Sequence, residues 1–81
     1  MSATAKPAPS ARDLAAALLA GGLRPGTPPH LNGRAESIDR QLCRALRCPV
    51  CRRRGLGYRP FTDGRRYVVL AVCRCGAAEE V

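Results

Sequence analysis

The apolar positions of this chain change period along its length, and each change predicts an element. Leu14, Ala15, Ala17, Leu18 and Leu19 recur at helical spacing. Ser10 precedes them as an N-cap with Asp13 three residues on, a variant capping box, and Gly21–Gly22 close the run. The resulting Ala-rich helix over 10–20 is marginal alone and must dock on something. Residues 24–33 hold three prolines, which exclude helix and read as a Pro/Gly linker. A second helix is expected from Arg34 to Leu46. Ile38, Leu42 and Ala45 share one of its faces, with Leu46 at the edge, and are expected to pack inward. Arg40, Arg44 and Arg47 form a basic stripe opposite, either a solvated face or a contact surface.

The period then drops to two. Gly57–Thr62 reads as a strand, Asp63–Gly64 as a tight turn, and Arg65–Val72 as a second strand rich in β-formers. With that turn Phe61 shares a face with Val68, Leu70 and Val72, while Tyr58 shares the other with Tyr67 and Val69. Both faces are apolar, so a helix is expected over one of them. Pro60 lacks an N–H and suits an edge strand. Ala77–Val81 reads as a short acidic tail, and residues 1–9 as a disordered one. The expectation is a small α+β chain: two N-terminal helices followed by a hairpin domain. It divides into a tail at 1–9, a short helix and linker at 10–33, and a helix plus hairpin at 34–81.

At 81 residues with 4% aromatic content, the chain cannot bury a large core, so a staple is expected. The five cysteines supply the candidates. Cys48–Pro49–Val50–Cys51 and Cys73–Arg74–Cys75 are short pairs, each on a tight turn, separated by enough chain for one hairpin. Two such pairs brought together can give a metal four thiolates in a tetrahedron, and zinc is the metal such sets favour. Gly76 follows the second pair, where backbone N–H groups commonly fold toward the sulfurs and a side chain would crowd them. An odd number of cysteines in close pairs also fits a reducing, cytoplasmic setting better than a disulfide framework.

These residues resemble the zinc-ribbon family: a Cys-Pro-x-Cys knuckle at 48–51, a hairpin, and Cys-x-Cys-Gly at 73–76. The resemblance covers under half the chain. It implies two zinc knuckles on a small antiparallel sheet, with one structural zinc. The second knuckle departs from the usual C-x-x-C, which makes Cys75 the least regular ligand. Zinc ribbons serve transcription, translation, replication and protein docking, so the family alone does not fix a function.

Cys43 and His30 remain. Cys43 reads as a small side chain on the second helix. Alternatively, Cys43, Cys48, Cys51 and Cys73 have the spacing of a plant-type [2Fe–2S] site, although Arg44–Arg47 prefer helix there and Cys75 would be left over. His30 lies in the Pro-rich linker, where loop exposure is expected over substitute ligation.

Four thiolates close a metal's coordination shell, and no nucleophile elbow, phosphate loop or dinucleotide fingerprint is present, so no enzyme is expected. No stretch is long and apolar enough to span a membrane. The net charge is +8, and thirteen of the 14 cations are Arg. Between Cys48 and Cys75 lie Arg52, Arg53, Arg54, Arg59, Arg65, Arg66 and Arg74 against one acid, Asp63. With Arg40, Arg44 and Arg47 these form a candidate surface for nucleic acid, DNA or RNA. Tyr58, Tyr67 or Phe61 could stack on a base, but in so aromatic-poor a chain they are better read as core. The alternative partner is an acidic protein surface in a larger transcription- or translation-type assembly, met by the Ala/Leu helix at 10–20.

Overall fold

A computed structural model describes residues 9–81. Two helices, α1 (Ala11–Ala20) and α2 (Gly33–Ala45), accompany four strands: β1 (Arg24–Pro25), β2 (Gly57–Thr62), β3 (Tyr67–Val72) and β4 (Ala78–Glu80). The strands form one antiparallel sheet in the order β1-β2-β3-β4. The α+β expectation holds, but the helices are not an uninterrupted N-terminal pair, because β1 lies between them. Residues 1–8 of the expected tail lie outside the described residues; Pro9 accepts a hydrogen bond from the Ala78 N–H at 3.4 Å.

α1 begins and ends as its sequence dictates. Ser10 Oγ accepts from the Asp13 N–H at 3.0 Å. At the other end Leu23 N–H donates to Leu18 O (3.0 Å) and Gly22 N–H to Leu19 O (3.1 Å), with Gly22 at φ +92°. That is a Schellman closure, and its accompanying apolar contact joins Leu18 to the buried Leu23. Leu14, Ala15 and Leu18 pack with Leu23 on Phe61, Val68 and Leu70, so α1 covers one face of the hairpin.

The other face carries Val69 and Ala71 with Tyr58 and Tyr67 packed against them, and α2 covers it. Both apolar faces therefore have a helix, where one was expected. The inward side of α2 is not the one anticipated. Cys43 is fully buried, Asp39 accepts a hydrogen bond from the Tyr67 hydroxyl (2.7 Å), and Leu46 is partly buried, whereas Ile38 and Leu42 remain 52% and 48% exposed, with Ala45 exposed beside them. A small sulfhydryl lets helix and sheet approach closely, and a hydrogen bond to Asp39 orients them; neither registers in a count of large apolar residues. The Tyr58 hydroxyl lies 2.7 Å from that of Tyr67, whose proton goes to Asp39, so Tyr58 donates in turn. Burial, reinforced by Tyr58 and Asp39, pushes the Tyr67 phenol's pKa up and keeps it a donor.

The hairpin faces agree with expectation, but the turn does not. Thr62 pairs with Tyr67, so four residues rather than two make the connection. Asp63 Oδ1 accepts from the N–H groups of Arg65 (2.8 Å) and Arg66 (2.7 Å), and Thr62 Oγ1 from Gly64 N–H (3.0 Å). These bonds to Arg66 and Arg65 hold the Asp63 carboxyl below its ordinary pKa. The register moves by two residues, which leaves every side chain on its original face. Pro60 does not sit in an edge strand, since β2 lies between β1 and β3. Its carbonyl accepts from Gly26 N–H at 3.0 Å, so its missing N–H faces the end of the two-residue β1 and costs β3 no bond. The acidic tail is also structured: Ala78, Glu79 and Glu80 pair with Val72, Ala71 and Leu70.

Tyr67→Phe removes the donor to Asp39 and is expected to destabilise the protein by about 1–3 kcal/mol. Denaturant unfolding measures the loss, and amide exchange in α2 should accelerate with it. Tyr58→Phe removes only the outer donor and should cost less.

Candidate metal centre

The first knuckle sits between α2 and β2 and is closed by its own backbone. Cys48 N–H donates to Arg53 O (2.9 Å) and Arg52 N–H to Cys48 O (3.0 Å), with Arg52 in the left-handed region at φ +63°. An Arg47–Arg54 bridge and the Gly55 N–H to Leu46 O bond (3.0 Å) fasten its base. The second knuckle joins β3 to β4. Cys73 N–H donates to Ala77 O (2.8 Å) and Gly76 N–H to Cys73 O (3.0 Å). Gly76 is required here by its φ of +97°, not by crowding, because no atom lies within 4 Å of where a Cβ would stand. Its N–H closes the tight turn instead of approaching sulfur, and this lets a C-x-C spacing serve.

These turns place the sulfurs of Cys48, Cys51, Cys73 and Cys75 within 4.8 Å of one another. Cys48 and Cys75 are 3.5 Å apart, and Cys51 and Cys73 are 3.4 Å apart. A tetrahedron with metal–sulfur bonds of about 2.3 Å has edges of about 3.8 Å, so the four donors fit one ion with little adjustment. Cys48 and Cys73 are buried while Cys51 and Cys75 are exposed, so an ion there would lie between core and solvent. The N–H groups of Cys51 and Val50 both point at Cys48 Sγ at 3.4 Å. Foremost the Cys51 N–H, and then that of Val50, draw the Cys48 thiol down to about 6, which favours the metal-binding thiolate at neutral pH. The Arg53 N–H favours the Cys51 thiolate too, but contact with the Cys73 thiol, desolvation and Cys48 outweigh it, and Cys51 is shifted up.

Cys43 lies outside this group. It is fully buried, in one cluster with Cys48, Leu56, Val69, Ala71, Cys73 and Ala77, and burial raises its pKa. The thiols brought together are therefore not the plant-type iron–sulfur quartet, which requires Cys43. His30 is exposed and stands apart from the thiol group.

The anticipated arginines separate into distinct places. Arg44, Arg59 and Arg74 line a cleft of about 510 Å³ beside the knuckles. Arg53 and Arg54 join Arg74 along a smaller cavity of about 220 Å³, and Arg53 and Arg74 flank Cys51 and Cys75 in another of about 290 Å³. Arg65 and Arg66 lie in the turn at the far end of the hairpin. Arg52 and Arg47 are exposed on the first knuckle and its base. Arg40 is engaged: it pairs with Glu36 at 2.8 Å and lies 4.9 Å over the Tyr58 ring. Arg12, which the sequence did not single out, shares a cavity of about 250 Å³ with Arg59 between α1 and the sheet. Phe61 is core, and the two tyrosines are committed to each other and to Asp39, so none is presented as a stacking platform.

Among the described residues no helix is long and apolar enough to cross a membrane. No family model, curated protein or solved structure matches the chain. The likeness to zinc ribbons thus stands on the two knuckles and the thiol geometry.

Cys48→Ser and Cys73→Ser should each abolish tight binding of a single metal ion, read by native mass spectrometry under reducing conditions. Cys43→Ser should keep that ion. Burying a hydroxyl in place of its sulfhydryl should nevertheless cost about 1–3 kcal/mol in denaturant unfolding. Loss of the metal in Cys43→Ser would contradict the assignment.

Proposed function

We propose that this chain is a non-catalytic binding module, folded around one structural zinc ion, that contacts the phosphate backbone of nucleic acid. The observation that carries the nucleic-acid reading is the run of arginine-lined cavities beside the thiol site, whose linings include no acidic residue. Guanidinium groups bind phosphate oxygens in pairs, and contacts of this kind position a protein on nucleic acid without reading its sequence. Zinc is favoured by four thiolate donors, and four thiolates leave it no open position for water or substrate, which supports a structural ion. Cys48, Cys51, Cys73 and Cys75 would hold it, and it would supply rigidity and no reaction step. Reduced thiols of this kind fit a reducing compartment such as the cytoplasm.

A second reading is favoured by the exposed stripe of Ile38, Leu42 and Ala45 on α2. Such a surface suits docking into a larger protein assembly. α1 does not suit that role, since Leu14, Ala15 and Leu18 are already packed on the sheet.

Structural zinc in small peptides contributes on the order of 10–16 kcal/mol of apparent binding energy near neutral pH. Chelation should accordingly melt the hairpin and both knuckles, with restoration by added zinc, followed by amide exchange. Binding of a short oligonucleotide to the zinc-loaded chain should weaken linearly in log salt. Neutralising Arg53, Arg54 or Arg74 should reduce that slope by about one each. A salt-independent interaction, or none, would shift the assignment to protein docking.

A further inference from the structure

The cleft of about 510 Å³ differs in kind from the rest of the basic surface. Its arginines come from three separate elements: Arg44 near the end of α2, Arg59 on β2, and Arg74 in the second knuckle. Leu56 and Val72 supply an apolar base, and Gly55 and Gly57 bring bare backbone to the wall. None of the six acidic residues of the chain lines it. Among the described residues the one ion pair is Arg40–Glu36, outside the cleft. Three permanent positive charges therefore stand around one concavity with no carboxylate to neutralise them.

That is more charge than an internal phosphodiester, with its single negative charge, requires. A terminal phosphomonoester carries about −1.5 to −2 near neutral pH and offers three acceptor oxygens. The volume lies within the range of about 300–1,000 Å³ typical of small-ligand sites, so it suits one nucleotide better than a duplex groove. The neighbouring cavity shares Gly55, Cys73 and Arg74 with the cleft and adds Arg53 and Arg54, a track for the phosphates that follow.

We propose that the Arg44–Arg59–Arg74 cleft binds the terminal phosphomonoester of a nucleic-acid strand, with the strand continuing past Arg53 and Arg54. This rests on the nucleic-acid reading above and adds end recognition to it. The site involves no chemical step: the arginines hold the phosphate and leave it intact.

The test uses the full zinc-loaded chain and a short, internally labelled single-stranded oligonucleotide with a 5′-phosphate, a 3′-phosphate, or hydroxyls at both ends. The expected result is that one terminal phosphate tightens binding by about tenfold or more. Arg44→Gln and Arg59→Gln, both exposed positions, should reduce that advantage more than they weaken the hydroxyl-ended strand. Unchanged zinc stoichiometry in each variant confirms that the fold is intact. Equal affinity for all three strands overturns the end-recognition proposal while leaving the nucleic-acid reading standing. An advantage that survives both substitutions overturns the assignment to this cleft. No binding of any strand overturns both, and in that case binding of inorganic phosphate alone would identify a simple anion site.

Discussion

Four ionisable sulfurs confined within 4.8 Å of one another cannot all carry charge unless a cation stands between them. The connections into and out of the hairpin converge on that constraint. One knuckle connects α2 to β2 and the other connects β3 to β4, so every long element except α1 enters or leaves through a turn that carries two of the clustered thiols. The hairpin fixes the distance between the turns, and the turns in turn fix where the ends of the hairpin lie. The thiol pairs at 3.4 and 3.5 Å are the product of both, and neither knuckle has a core of its own large enough to hold it there.

The packing around the centre is divided. One cluster, built on Cys43, Leu56, Val69 and Ala71, is continuous with the buried candidate ligands Cys48 and Cys73. The other, built on Leu23, Phe61, Val68 and Leu70, lies across the sheet beneath α1. Neither is large: the first uses small residues and a Tyr–Tyr–Asp hydrogen-bond chain where a bigger protein would place more aromatic side chains, and the second holds the chain's one Phe. The same economy leaves the surface basic: few carboxylates are present to pair with arginine, and those on α2 are already engaged by Arg40 and Tyr67.

Much of this was legible in the residues. The thiol quartet, the faces of the hairpin and the limits of α1 follow from spacing, alternation and the Ser10 and Gly22 caps. β1 and β4 were not legible, because a two-residue strand containing Pro25 and an acidic three-residue strand have no side-chain signature. They exist because neighbouring backbone offers unpaired groups. The inward side of α2 was not legible because Ile38 and Leu42 outweigh Asp39 and Cys43 in hydrophobicity, while the contacts that hold the helix are a hydrogen bond and a close approach. The turn at Asp63 is longer than its Asp-Gly dipeptide implies because the carboxylate accepts from the N–H groups of Arg65 and Arg66, organising four residues where Asp-Gly usually organises two. The arginines were countable, but which of them share a cleft depends on how α2, β2 and the second knuckle converge.

The backbone bond from Ala11 N–H to Gly76 O, 2.7 Å long, ties the start of α1 to the residue that follows the last of the four clustered thiols. The Ser10–Ala77 bridge lies beside it. Order in the first helix is thereby made to depend on order in the second knuckle, although more than fifty residues separate them in the chain. Opening of the molecule therefore has a hierarchy. Loss of an ion held by the four thiols would loosen the second knuckle, so that β4 would lose its start and α1 its backbone anchor over Phe61 and Leu70. If an ion occupies the thiol site, the N-terminal helix would report that occupancy at a distance, opening together with the knuckle and not as an independent helix.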